Sequence, residues 1–178
     1  MAAYSLKPSA SLKPNRTSQG GRAWLTAMGE SSVILSAIVQ VIHLELYTMG
    51  RKAIDIMLTM HDLQDVSALW ISIFNGVQVI SNRQSPFHRD NQSSVEWYDL
   101  LATIGPYKLA IFELPGVGLR FRYNSGTIIG LSGRLLRHRV SNADGDRICL
   151  AYYMRENVQR RLGTQPATWN ARDTNYMR

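Results

Sequence analysis

The feature that most constrains this chain is a change of grammar near residue 69. Before it, apolar residues recur at the helical interval. Ser31 or Ser32 is placed to cap a helix running to about His43, with Ile34, Leu35, Ile38, Val41 and Ile42 at its apolar positions. Leu44 to Thr59 continues in the same style across Gly50, with Leu46, Met49, Ala53, Ile54 and Met57 on one side. From residue 69 the chain switches to short β-rich runs, expected near 69–80, 85–90, 96–104, 108–114, 118–123, 126–132, 135–141 and 147–154. The breaks are turn chemistry: Gly105-Pro106, Pro115-Gly116, Asn124-Ser125-Gly126 and Asn142-Ala143-Asp144-Gly145. Helices followed by many short strands predict a mainly β fold of the α+β class, a jelly-roll-like barrel or sandwich braced by N-terminal helices.

A chain of 178 residues supports one real core. The formal charge of +7 sits at the two ends. Residues 1–22 carry Lys7, Lys13, Arg16 and Arg22 with no acid, and residues 155–178 carry five arginines against Glu156 and Asp173. The stretch between them balances at 11 basic and 11 acidic residues. Basic ends suit phosphate contacts and equally suit solvated tails. Residues 1–22 repeat Ser-Leu-Lys-Pro and then run through Asn, Ser and Gly, so they read as a basic disordered tail. The expected organisation is that tail, one domain over 23–158 (helices 31–59, β core 69–158), and a basic polar tail over 159–178.

The single cysteine, Cys149, excludes an internal disulfide and any multi-cysteine zinc module. Val33–Ile42 is too short an apolar run to cross a bilayer, and the first twenty residues lack the apolar stretch of a secretory leader. Their acid-poor composition is also that of a mitochondrial transit peptide, but Pro8 and Pro14 oppose the amphipathic helix such a peptide needs.

The chemistry concentrates in three places. His88-Arg89-Asp90 puts two metal-capable side chains on one face of an expected strand, because residues i and i+2 point the same way. His138 ends a strand several strands downstream, where an antiparallel barrel can return it beside the first pair. Two imidazoles and a carboxylate on one face of an iron leave positions open for a chelating cosubstrate and oxygen. Arg147 lies across the Asn142–Gly145 turn, and its guanidinium suits a bidentate pair with the far carboxylate of 2-oxoglutarate. Each piece has a plain alternative: a structural His88 with a surface Asp90, a His138 within a basic strand edge, and an Arg147 in an ordinary salt bridge.

The runs Pro86-Phe87-His88-Arg89-Asp90-Asn91 and Leu136-Arg137-His138-Arg139-Val140-Ser141, followed by Arg147-Ile148-Cys149-Leu150-Ala151-Tyr152-Tyr153, resemble the double-stranded β-helix oxygenases. More narrowly they resemble the fungal branch of the TET/JBP family, as do Phe112–Phe121 and Tyr123–Thr127. The similarity covers about residues 69–158. It implies a cupin-like double-stranded β-helix and a dioxygenase that uses Fe(II), 2-oxoglutarate and O2. His88, Asp90 and His138 would be its catalytic metal ligands, and Arg147 would bind the cosubstrate. Family members oxidise 5-methylcytosine or thymine in nucleic acid, which implies methylated DNA as partner and the nucleus as location, with cytoplasm and mitochondrion left open. Where the superfamily commonly has Arg-x-Ser, this chain reads Arg147-Ile148-Cys149, which keeps the arginine and loses a hydroxyl.

Substrate recognition is less determined. Between Leu114 and Ala143 every charged residue is basic, and Arg120-Phe121-Arg122-Tyr123 alternates arginine with aromatic residues. A solvated arginine face over a buried Phe121–Tyr123 pair explains that run as well as a nucleic-acid surface does. Arg89 and Asn91 flank the metal pair as candidate substrate contacts, pointing away from it if the strand is regular. His43, His61, Trp24, Trp70, Trp97 and Cys149 have structural readings as helix-end or core residues. Two other functions stay in play: the same iron chemistry on a protein side chain or small molecule, and a non-catalytic nucleic-acid-binding relative.

Overall fold

The structure is a computed structural model that describes residues 6–13 and 19–169. Residues 1–5 and 14–18 of the expected N-terminal tail, and residues 170–178 of the C-terminal one, lie outside the described residues. The chain forms two compact units, one of residues up to Ile73 together with those from Val158 on, the other of Phe74–Asn157.

The first unit is helical: α1 (Gln19–Ala27), α2 (Gly29–Ile42), α3 (Leu44–Leu58) and α4 (Gln64–Ser67), with a 3-10 turn at Ala10–Leu12. α2 starts ahead of both candidate capping serines. Ser32 and Ser36 instead face inward, where Ser36 Oγ donates to the Ser32 carbonyl (2.7 Å) and accepts from the Ile73 N–H (3.2 Å). Leu35 and Val39 share that buried side, while Ile34 and Val41, expected within the packed stripe, are 58% and 85% exposed. The small Ser32 and Ser36, the latter with its hydroxyl bonded inside, allow close packing on that side, which leaves Ile34 and Val41 outward. The helices break at His43, whose ring Nδ1 accepts the Leu46 N–H (3.3 Å) and so caps α3. Leu46, Met49, Ala53 and Ile54 of α3 are buried as their spacing predicts. Residues 159–169, expected as tail, include the end of α5 (Glu156–Leu162) and a segment whose Ala167 is buried and whose Thr168 bonds the Glu45 carboxylate.

The second unit holds seven strands: β1 (Gly76–Ser81), β2 (Asp99–Ile104), β3 (Ile111–Leu114), β4 (Leu119–Arg122), β5 (Ile128–Leu131), β6 (Arg139–Val140) and β7 (Ile148–Tyr153). They form two antiparallel sheets, ordered β1-β7-β2-β5 and β4-β3-β6. One core joins them: Leu101, Leu131 and Cys149 of the larger sheet pack with Phe112, Leu114 and Val140 of the smaller, and with Tyr107, Ala110 and Tyr123. This is the double-stranded β-helix of the α+β class, reached by alternation of inward apolar and outward polar residues. Buried hydroxyls are satisfied across it: Tyr107 donates to the Tyr123 carbonyl (2.7 Å) and Tyr123 to the Leu101 carbonyl (2.9 Å).

Two expectations fail. No regular strand forms over 85–90; that segment makes one isolated bridge, at His88. Phe121 is 40% exposed, so Tyr123 alone of the expected aromatic pair is buried. β4 is an edge strand, and an edge side chain can outrun the core beneath it.

The loops that close the barrel are fixed by polar bonds. Asp144 Oδ1 accepts the N–H groups of Lys108 (2.7 Å) and Leu109 (2.8 Å), pulling the 142–145 turn onto the 105–109 turn. Gly105 has φ of +138°, and an added Cβ would lie 2.1 Å from the Asp146 carbonyl oxygen. Gly105→Ala is therefore expected to cost roughly 3 kcal/mol, from backbone strain and that collision. A denaturant midpoint that does not move would refute this.

Candidate metal centre

The centre is built on a two-residue pairing. His88 lies in the long connection from β1 to β2, and His138 immediately precedes β6. Each donates its backbone N–H to the carbonyl of the other, both at 3.0 Å. Directly opposed residues of an antiparallel pair put their side chains on the same face. The two rings accordingly meet with centroids 4.4 Å apart. Two residues on, the Asp90 N–H donates to the Gly133 carbonyl (3.0 Å) and brings its carboxylate to the same side. Asp90 Oδ1 stands 3.9 Å from His88 Nε2, and Oδ2 stands 3.6 Å from His138 Nε2. The three ligating atoms all lie within 4.8 Å of one another, with no other such group of His, Cys, Asp and Glu among the described residues.

Both imidazoles are oriented by the same device. His88 Nδ1 lies 2.8 Å from the Pro86 carbonyl, and His138 Nδ1 lies 2.9 Å from that of Leu136. A carbonyl only accepts, so each Nδ1 carries the proton and each Nε2 turns its lone pair into the centre. Burial of His138 pushes its pKa below the usual imidazole value and favours the neutral, ligating form. The ring of Phe112 stacks on His138 at 5.7 Å with planes 9° apart, fixing the imidazole from the core side.

Gly133 has a steric duty here. A Cβ at that position would sit 2.7 Å from both Asp90 Oδ2 and Asp99 Oδ2. Asp99, at the head of β2, is 3% exposed and accepts Ser93 Oγ (3.1 Å). Burial, and then the neighbouring Asp90 charge, raise its pKa to about 7. The sequence reading passed over Ser93, Asp99 and Gly133. The signal for Asp99 was a lone carboxylate within the apolar run Trp97–Ile104.

A cavity of about 550 Å³ opens on this face, lined among others by His88, Asp90, His138 and Arg147. Arg147 is 3% exposed. Its backbone N–H is held by Asn82 Oδ1 (2.7 Å) and its Nη2 by the Arg83 carbonyl (3.0 Å). Its Nη1 is buried without a hydrogen-bond partner. Among the described residues no carboxylate pairs with it, so the ordinary salt-bridge reading has no acid to rest on. A buried guanidinium with an open donor is costly unless a ligand supplies the acceptor. Arg89 and Asn91 both line the cavity. The expectation that they turn away from the metal pair assumed a regular strand, which residues 85–90 do not form.

Residues 5–156 match the Tet/JBP family, described as the oxygenase domain of the 2OGFeDO superfamily. The chain belongs to the TET/JBP oxygenase family. It is thus a 2-oxoglutarate- and Fe(II)-dependent dioxygenase domain of that type, with O2 as the oxidant. Among solved structures it is similar to NgTET1 in complex with 5mC DNA, with a TM-score of 0.61 and 16% identity. That alignment covers 86% of this chain and 56% of the other, so this chain spans little more than half of NgTET1. At that identity the likeness speaks for the fold. No curated protein matches the sequence. The residues fit the cofactors of the family: two Nε2 lone pairs and a carboxylate suit Fe(II), and the open Arg147 donor suits a dicarboxylate.

Two predictions follow from this packing. Gly133→Ala should displace Asp90 and weaken Fe(II) or Co(II) binding by roughly 10- to 100-fold, and an unchanged Co(II) titration would contradict it. In the metal-free protein, folded Asp99 keeps a proton that the unfolded chain sheds between the ordinary 3.8 and about 7. The folded state binds more protons over that window, so this group makes stability fall as pH rises through it. Asp99→Asn should flatten that decline in denaturant titrations; parallel pH curves for the two proteins would count against it.

Proposed function

We propose that this domain oxidises the methyl group of 5-methylcytosine, or of thymine, in nucleic acid. The observation that carries the oxygenase part is the shared cavity, in which a convergent His88–Asp90–His138 face lies with the open donor of buried Arg147. The substrate class draws support from the family and from NgTET1, whose structure holds 5mC DNA. When bound, Fe(II) supplies oxygen activation coupled to decarboxylation of 2-oxoglutarate to succinate and CO2, with hydroxylation of the substrate methyl.

The residues of this chain bind and orient. His88, Asp90 and His138 would hold the metal, the Nδ1 atoms of the two histidines being already committed to carbonyls. Arg147 would offer the open Nη1 donor to the far carboxylate of the cosubstrate, with Nη2 anchored to the Arg83 carbonyl. Cys149, two residues on and 5% exposed, gives that end of the cavity a wall without a hydroxyl. A base must leave the stack to reach the metal face. At about 550 Å³ the cavity is in the range that encloses small ligands. Arg89 and Asn91, on its rim, are the substrate contacts in this reading. Action on genomic DNA implies the nucleus as the place of work.

The same chemistry on a protein side chain or small molecule takes its support from the charge balance of residues 23–154. Nucleoside mass spectrometry separates the readings. Incubation with 5-methylcytosine DNA, Fe(II) and 2-oxoglutarate should yield 5-hydroxymethylcytosine, and His88→Ala, Asp90→Ala and His138→Ala should each abolish it. Succinate without base oxidation would retain the oxygenase and discard the nucleic-acid substrate. Arg147→Gln should raise the KM for 2-oxoglutarate by about 100-fold, the scale of one lost charged hydrogen bond and its orphaned partner. Full turnover in any metal-ligand variant would refute the assignment.

A further inference from the structure

The small sheet carries a second feature, on the side away from the metal. Register places Phe112 opposite both Phe121 and Val140, with Phe112 and Val140 in the core. One residue on, Glu113 lies opposite both Arg120 and Arg139, so these three share the outward face. Arg122 follows Arg120 by two residues on β4 and takes the same side. On the neighbouring segment the Phe87 ring stacks under two guanidinium groups, Arg139 at 4.3 Å and Arg137 at 5.3 Å. The alternation that sends His138 into the cavity thus sends Arg137 and Arg139 outward.

Four arginines share one acid. Glu113 accepts Arg120 Nε at 2.9 Å and Arg139 Nε on its other oxygen. Both are held through Nε, and the Arg139 guanidinium also lies over the Phe87 ring. Arg122 and Arg137 are exposed, with no ion pair among the described residues. The registered row across the sheet alternates in sign, Arg120–Glu113–Arg139, while Arg122 and Arg137 add two cations that no acid offsets among the described residues. That excess is left for an outside anion to relieve. The cations are all arginines, whose planar forks match phosphate oxygens in pairs, and they surround an aromatic ring.

We propose that Arg120, Arg122, Arg137 and Arg139, arranged around Glu113 and Phe87, grip the phosphate backbone of the bound nucleic acid at a point remote from the base that enters the cavity. The proposal rests on the oxidase reading for its partner. The face is a positioning surface: it neutralises phosphates and carries no base specificity. Glu113 acts within it as the pin that aims two guanidinium forks outward.

The test uses the full chain and a fluorescent 5-methylcytosine duplex, with anisotropy measured across a salt series. Arg122→Gln with Arg137→Gln is the informative variant, because neither residue has an ion pair to lose, and an unchanged melting temperature serves as the folding control. The double variant should bind about tenfold more weakly near 0.1 M salt and lose about 2 units of slope in log affinity against log salt. Methylated and unmethylated duplexes should suffer alike, and the double lysine variant should keep most of the slope. An unchanged slope in the glutamine variant would overturn the surface. So would wild-type binding of poly-L-glutamate as tight as its binding of the duplex, which would point to an acidic protein. Products on the same duplex separate the two claims. Base oxidation with an unchanged variant slope removes the surface and leaves the oxidase. Binding through this face without oxidation does the reverse, and a wild type that neither binds nor oxidises defeats both.

Discussion

Everything at the centre depends on two hydrogen bonds between His88 and His138, each 3.0 Å long. They join a segment with little secondary structure of its own to the edge of β6. From that one bridge come the shared face of the two imidazoles, the arrival of Asp90 beside Gly133, and the outward turn of the flanking arginines. The side chains add orientation: a carbonyl behind each ring, Phe112 against one of them, and a glycine where a methyl would displace the carboxylate. The centre is therefore preorganised by backbone pairing, with side-chain contacts setting the last few tenths of an ångström.

The three residues that could hold a metal were legible in the sequence because their chemistry is local or nearly so. His-x-Asp states its own geometry, and Arg147 follows a turn whose residues announce it. What stayed hidden depends on contacts between distant segments. Nothing near Asp99 says that Ser93 will reach its carboxylate or that Gly133 will lie against it. The direction expected for Arg89 and Asn91 was conditional on a regular strand over 85–90, and that segment makes one bridge instead. The β-runs were placed well where turn residues bound them, as at Gly105-Pro106 and Asn142–Gly145.

The helical unit shows a different limit. Its apolar periodicity is real, yet the side that α2 packs joins Ser32 and Ser36 to Leu35 and Val39, with the buried Ser36 hydroxyl bonded to Ser32 and Ile73 backbone atoms. Periodicity reports that a helix has faces and cannot by itself say which one is covered. His43 is the instructive case of a conspicuous histidine with a backbone duty, as the cap of α3.

The bridge at His88 and His138 has a consequence for folding. Fifty residues separate them, and the chain has one cysteine, so no covalent link closes that span. A metal ion seated on both rings and on Asp90 would close it instead. Loop-closure entropy makes such a tie act on the unfolded chain, where two remote segments would otherwise wander independently. The reaction centre then doubles as the clasp of the barrel: iron starvation would loosen the fold as well as silence the chemistry.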